Sequence, residues 1–197
     1  MAPRRNTGER RTEIADAALA VIAAQGLGRF TAAAVAAEVG VSDAALFRHF
    51  DSMDDIVLGA IDRAGSILFE DFPPTAADPI ERIGQFFRRR VAVIASHPGV
   101  ARVVLSDDLA FAAPAVGIAR VAEFKRRSVG FVRQCLSEAV AAGLLDPALS
   151  HQAAVVVITG SLVALAQAAA ASEGNKAARN GLADDVWATI ERVLRSS

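Results

Sequence analysis

The sequence predicts an all-α protein, with a small N-terminal three-helix domain followed by a larger helical domain. Three observations lead there. Apolar residues recur at helical spacing along most of the chain. Capping residues, glycines and prolines punctuate those stretches at intervals that suit helices. Only residues 100–105 and 155–159 are short apolar runs that would suit a strand, and both sit inside helical contexts. At 197 residues the chain is long enough to bury a substantial core. The expected division is residues 1–51 and 52–197, with no linker between them.

The first helix is expected over residues 12–25, with Ile14, Ala17, Ala18, Val21 and Ile22 as its inner stripe and Gly26 and Gly28 as its stop. Thr31 can cap a second, short helix over residues 32–39. Val35 and Val39, four apart, share its inner face. Gly40 supplies the left-handed position that ends a helix, Val41 fills the corner, and Ser42 can cap a third helix. On that helix Leu46 and Phe50 face inward with Phe47 beside them. Asp43, Ala44, Ala45, Arg48 and His49 are left for the outer side or its edges. Two short helices around one tight turn are the layout of a helix-turn-helix, whose second helix enters the major groove of DNA. On spacing alone, an ordinary surface hairpin of two helices is the alternative. Ahead of these helices Arg4, Arg5, Arg10 and Arg11 stand against Glu9 alone. Such an arm suits phosphates or the minor groove, and charge alone fits a solvated terminus equally.

Residues 12–58 resemble the N-terminal domain of the TetR family of bacterial transcriptional regulators. The matching elements are the helix with Ile14 and Ala18, Gly26, Thr31, Val35-Ala36, Gly40-Val41-Ser42, Leu46-Phe47-Arg48-His49-Phe50, and a new helix after Ser52. The resemblance implies that Thr31 and His49 contact phosphate and that Asp43, Ala44 and Ala45 face base edges. It implies that Arg48 reaches a base or the sugar edge, and it places Ser42 and Phe47 in the same DNA-facing set. Phe47 stands where tyrosine is usual, so the packing is kept and a hydroxyl contact is lost. Met53 stands where the family usually has a lysine that grips phosphate. Asp43 brings a negative charge to the duplex, although an acid can accept from cytosine N4. Residues 1–52 hold six arginines and six acids. The expectation is therefore modest non-specific affinity with a steep salt dependence. The whole chain carries formal charge -1, which excludes a bulk polycation.

The fourth helix is expected over residues 52–72. Ser52 and Asp55 form a capping box, Val57, Ile61, Ala64 and Leu68 form the inner stripe, and Pro73-Pro74 ends it. It is the natural lever between the two domains. Asp78-Pro79 opens a fifth helix whose Ile80, Ile83, Phe87, Val91 and Ile94 face inward, and His97-Pro98 closes it. A short helix over 99–107 and a loop through Phe111 follow. From Pro114 a long helix runs to about residue 142 with two apolar stripes: Val121, Phe124, Phe131, Cys135 and Val129, Val132, Leu136, Val140. A helix apolar on two sides is central. Residues 153–171 then contain no charge. They match a membrane span in length, yet Thr159, Ser161, Gln167 and the alanines, without flanking aromatics or basic clusters, favour a helix buried against protein. Residues 182–194 form a shorter amphipathic helix with Val186, Ile190 and Leu194 on one face and Trp187 just off it.

An uncharged helix followed by an amphipathic one suggests a homodimer built on a four-helix interface, as the resemblance also implies. Val155, Leu162, Ala166, Val186, Ile190 and Leu194 are the expected interface residues. A monomeric core that needs these same faces is the alternative. The resemblance further implies a pocket for a small effector in the second domain. Phe69, Phe86, Arg90, Phe124, Phe131 and Gln167 are its expected lining, which favours an apolar or aromatic ligand. A buried Arg90 needs a partner: an acid on a neighbouring helix is the expected one, and a ligand's anionic group is the alternative. Nothing points to an enzyme, a metal or a cofactor. His49, His97 and His151 are dispersed and fit no metal-binding motif. Cys135, the single cysteine, reads as a buried filler, and Asp107-Asp108 as a cap. With no signal segment expected, a reducing cytoplasm fits. The third helix also resembles that of nucleoid-occlusion members of the same family, which bind DNA and a cell-division protein. A helical scaffold that does not bind DNA is the remaining alternative.

Overall fold

The computed structural model describes residues 7–106, 112–146, 148–171 and 176–195, and all the described elements are helical. Arg4, Arg5, Asp107-Asp108 and Phe111 lie outside the described residues. The chain divides into two compact units, Met1–Leu68 with His97–Glu123 and Phe69–Ser96 with Phe124–Ser197.

In the first unit α1 spans Thr7–Gln25. It starts earlier than the apolar stripe announces, because polar side chains hold its first turns. Arg10 pairs with Glu13 at 2.5 Å, and Thr12 Oγ1 donates to the Gly8 carbonyl at 3.1 Å. Gly26 ends it with a left-handed φ of 75° and donates to the Ile22 carbonyl. α2 is Ala32–Val39 and α3 is Asp43–Leu46. α4 is Met53–Leu68. Ser52 Oγ accepts from the Asp55 amide at 3.1 Å, and the Asp55 carboxylate accepts from the Asp51 amide at 3.2 Å, a reciprocal pair that fixes the start of the helix. α4 buries Val57, Ile61, Ala64 and Leu68 and packs on α1 and on α6 (Pro98–Leu105). The division expected at residue 52 therefore falls inside this unit. Periodicity showed which face of α4 is apolar, but could not show that α1 and α6 cover it. α4 also ends four residues before the expected stop. Proline at 73 biases Phe72 away from helix, and Asp71 takes a positive φ of 49°.

In the second unit α5 is Pro79–Ser96, α7 is Ala115–Ala141, α8 is His151–Ala171 and α9 is Lys176–Leu194. α7 gives residues 115–123 to the first unit and the remainder to the second. The Asp78 carboxylate caps α5 by accepting from Ile80 N at 2.7 Å, and Pro79 occupies the first turn where its missing N–H costs nothing. Ile83, Phe87, Val132, Leu136, Ile158 and Trp187 are fully buried in one core. Trp187, expected beside the inner face of its helix, is completely buried. Its ring centre lies 5.7 Å from that of Phe87, and its Nε1 donates to Glu191 at 3.1 Å. Gly84 makes room for it, since a Cβ there would come 2.5 Å from Trp187 Nε1. Cys135 is buried as expected, and burial pushes its thiol up to about 11, so it stays a thiol. Val140 departs from its expected stripe and is exposed.

The expected interface residues need correction. Val155, Ala166, Ile190 and Leu194 are buried within the chain itself, and Leu162 and Val186 are partly buried against the same core. The outward face of α8 carries Val156, Val157, Gly160 and Val163 instead, and Gln167 is exposed as well. A helix apolar on every side has no polar face to orient it, so its sequence could not say which stripe looks inward. His151–Ala169 is long and apolar enough to cross a membrane by length and composition, and about a third of it is buried against protein.

Candidate nucleic-acid interface

The turn between α2 and α3 is built by backbone hydrogen bonds. Gly40 sits at φ 74°, ψ 41°, its amide donates to the Ala37 carbonyl at 3.2 Å, and the Val41 amide donates to the Ala36 carbonyl at 2.9 Å. A side chain at residue 40 would meet no steric neighbour, yet the positive φ makes any replacement strained. Thr31 caps α2, its Oγ1 accepting from Ala34 N at 3.2 Å, which leaves its hydroxyl proton for an outside acceptor. Ser42 holds extended backbone ahead of α3 but makes no side-chain cap, so its exposed hydroxyl is uncommitted.

Leu46 and Phe50 are buried as expected and fix α3 to the unit's core. Asp43, Ala44 and Arg48 are exposed and Ala45 is half-buried. Phe47 is 43% exposed, so it belongs to the outer surface and not to the inner face. α3 is shorter than expected. Past Leu46 the chain tightens, with the His49 amide donating to the Leu46 carbonyl at 2.9 Å. Arg48 makes no ion pair among the described residues. His49 Nδ1 is buried without a hydrogen-bond partner. A neutral imidazole with its proton on Nε2 can donate from that nitrogen. Met53, the first residue of α4, is half-buried.

Arg11, expected in a phosphate-binding arm, has another role. It donates to the His49 carbonyl, reaches Asp55 at 3.5 Å and stacks 4.1 Å from the Phe50 ring centre. It thus ties α1 to the chain just after α3. Nothing local marks it, because its partners lie far along the sequence. Arg63 pairs with Asp16 at 2.6 Å and Arg120 with Asp62 at 2.6 Å in the same unit. Arg10, Arg11, Arg63 and Arg120 are thus held within the unit, while Arg29, Arg48 and Arg102 are exposed and make no ion pair among the described residues.

The second unit holds a separate cluster. Phe69, Phe72, Phe86, Phe124 and Phe131 form a chain of ring contacts with centres 5.0–5.9 Å apart. Four of the expected pocket residues are thus brought together with Phe72, which the sequence reading missed although it stood beside Pro73. Gln167 does not join them. Arg90 does, 4.6 Å and 5.0 Å from the ring centres of Phe69 and Phe86, and Arg127 lies 4.2 Å from Phe69. The expected acidic partner of Arg90 is not found among the described residues. Its hydrogen-bond partner is Ser128 Oγ at 3.5 Å. Asp71 pairs with Arg89 at 3.0 Å and Asp184 with Arg88 at 2.9 Å. No group of three or more His, Cys, Asp or Glu side chains that could hold a metal occurs among the described residues.

Residues 14–60 match the family described as bacterial regulatory proteins, tetR family. Nucleoid occlusion factor SlmA of Vibrio vulnificus (strain YJ016) is 34% identical over 111 residues, which is 52% of this chain and 54% of that protein. SlmA of Marinomonas sp. (strain MWYL1) is 32% identical over 105 residues, 52% of this chain and 53% of that protein. The chain spans about half the length of the curated relatives it matches. Among solved structures, the ketosteroid transcriptional regulator KstR2 of Mycobacterium tuberculosis superposes with a TM-score of 0.76 at 18% identity, over 100% of this chain and 99% of that one. At this identity the likeness shows the fold alone.

Proposed function

We propose that this chain is a TetR-type, sequence-specific DNA-binding regulator of transcription, a reading supported by the family match over residues 14–60. It acts as a homodimer on an inverted repeat, as a repressor released by a small apolar or aromatic effector, and it works in the cytoplasm. The observation that carries this is the turn at Gly40, which sets α3 so that Ser42, Asp43, Ala44 and Arg48 face outward. Thr31, Ala45, Phe47 and His49 complete that surface, and the arm with Arg4 and Arg5 adds phosphate contacts. The two-fold partner is supported by the outward apolar stripe of α8, with Val156, Val157 and Val163 exposed beside the open Gly160, and by exposed Leu182 and Val193 on α9. Two reading heads would then meet successive major grooves, ~34–36 Å apart. FadR of Bacillus subtilis, solved in complex with stearoyl-CoA, shares the fold at 16% identity and a TM-score of 0.69, over 92% of this chain and 98% of that one. It supports a small-molecule effector for this fold. Selection of bound fragments from random duplex DNA tests the proposal. Enriched fragments should share an inverted repeat, and a protein that enriches no sequence is no such regulator.

A second reading is favoured by the curated relatives, which are nucleoid occlusion factors. In that case DNA binding persists, no small molecule releases the protein, and a protein partner takes the effector's place. Ligand-dependent release separates the two. A mobility shift on the selected DNA separates both from a scaffold that binds no DNA.

Arg48→Ala and His49→Ala are expected to weaken DNA binding while leaving helicity unchanged, since neither side chain is paired among the described residues. Loss of a base contact at Arg48 should cost about 1–3 kcal/mol and relax preference at one position of each half-site. A loss spread evenly over all sequences would make Arg48 a backbone contact. Met53→Lys is expected to tighten binding and to steepen the salt dependence by about 0.9, one phosphate's worth for duplex DNA. An unchanged slope with an unchanged melt would show that residue 53 faces away from the backbone.

A further inference from the structure

Arg90 is the buried charged side chain of the chain among the described residues, 6% exposed. A guanidinium has five N–H donors and no acceptor. This one reaches a single neutral oxygen, Ser128 Oγ at 3.5 Å, and that hydroxyl is itself committed to the Phe124 carbonyl at 2.9 Å. Two ring faces, of Phe69 and Phe86, take up part of the charge. No described carboxylate does so. The neighbours raise the cost. Arg127 stacks on Phe69 and Phe72 at 4.2 Å and 4.8 Å, also without a carboxylate, and Arg89 lies adjacent. Burial, reinforced by these two like charges, brings Arg90 down to about 10. A buried cation in this setting destabilises the fold, and an apolar side chain of similar length would pack there at less cost.

We propose that this cluster is the receiving site for an amphipathic carboxylate, with Arg90 binding the anionic head and the phenylalanine rings binding the apolar remainder. The proposal rests on the reading of the second unit as an effector domain, and it names the chemistry of that effector. Arg90 favours a carboxylate because its planar fork takes both oxygens in parallel bonds. Arg127, exposed at the edge of the same rings, adds long-range attraction. Phe69, Phe72 and Phe124 are only half-buried.

The test is calorimetric titration of the full chain with 2-naphthoate and with octanoate, set against the neutral methyl ester of 2-naphthoate. At least one acid should bind about tenfold or more tightly than the ester, the discrimination a charge-assisted pair supplies. Arg90→Gln should remove that difference. Arg90→Met should melt higher than the parent protein without ligand. Equal affinity of acid and ester overturns the proposal, as does failure of both acids to bind at millimolar concentration. So does an Arg90→Gln protein that keeps its preference for the acid, or an Arg90→Met protein that melts lower, which would make Arg90 a structural residue. Mobility shifts on the selected DNA run alongside. A parent protein that binds carboxylate but no DNA sinks the regulatory reading and leaves the carboxylate site standing.

Discussion

Val157→Glu is expected to yield a folded monomer with DNA affinity lower by about 10²–10⁴-fold. Val157 is 53% exposed on the outward stripe of α8, so within one chain a glutamate there keeps its water and costs little. Across a two-fold axis it would be desolvated against an apolar face, with the partner's identical charge close by. The size of the loss follows from tethering. Once one head is bound, the second sees its half-site at a high effective concentration, and a monomer forfeits that gain. Sedimentation should give a single-chain mass, circular dichroism an unchanged helix content, and a mobility shift the lost affinity. A variant that stays dimeric at the parent's concentration dependence would place the interface elsewhere.

Gly99→Ala is expected to destabilise the first unit by about 3 kcal/mol, the upper end of the cost of overpacking. At the start of α6 a Cβ on residue 99 would stand 2.2 Å from the Leu19 carbonyl oxygen and 2.8 Å from its carbon. These are backbone atoms in the middle of α1, so no rotamer change relieves the clash and α6 must lift away. Val100, Val103 and Val104, buried at present, would then lose contacts. Because the reading head belongs to the same unit, DNA binding should fall with the melt. Gly130→Ala is the control. Its Cβ would meet nothing within 4 Å on an exposed face of α7, so removing a helical glycine should stabilise by about 0.5–1 kcal/mol. Equal melting of the two variants would mean that α1 and α6 are not in this close contact.

The parts legible in the sequence were those governed by neighbours in the chain. Thr31, Gly40, Ser52 and Asp78-Pro79 mark their helix ends because capping is decided within four residues. Leu46, Phe50, Ile83 and Phe87 are buried where periodicity places them, since on an amphipathic helix one face alone is apolar. The misreadings share the opposite property. Arg11 and Arg90 depend on partners dozens of residues away, so local charge suggested a phosphate arm for one and an acid pair for the other. Val155 and Val156 are chemically identical and adjacent, and only the packing of α8 on α5 decides which of them is buried. Trp187 lay off the apparent stripe because the stripe was drawn without the gap at Gly84 that receives it.

The outer face of α3 has a consequence for the genome. Ala44 and Ala45 offer methyl groups, which can sense a thymine methyl but form no hydrogen bond to a base edge. On the proposed docking, that leaves Ser42, Asp43 and Arg48 as the side chains able to hydrogen-bond a base, so each half-site would carry little information. Against roughly 10⁶–10⁹ competing positions, so short an address recurs by chance many times over. Only the fixed spacing and orientation of two such words make it unique. Operators should accordingly tolerate drift in most single letters while tolerating no inserted or deleted base between their halves.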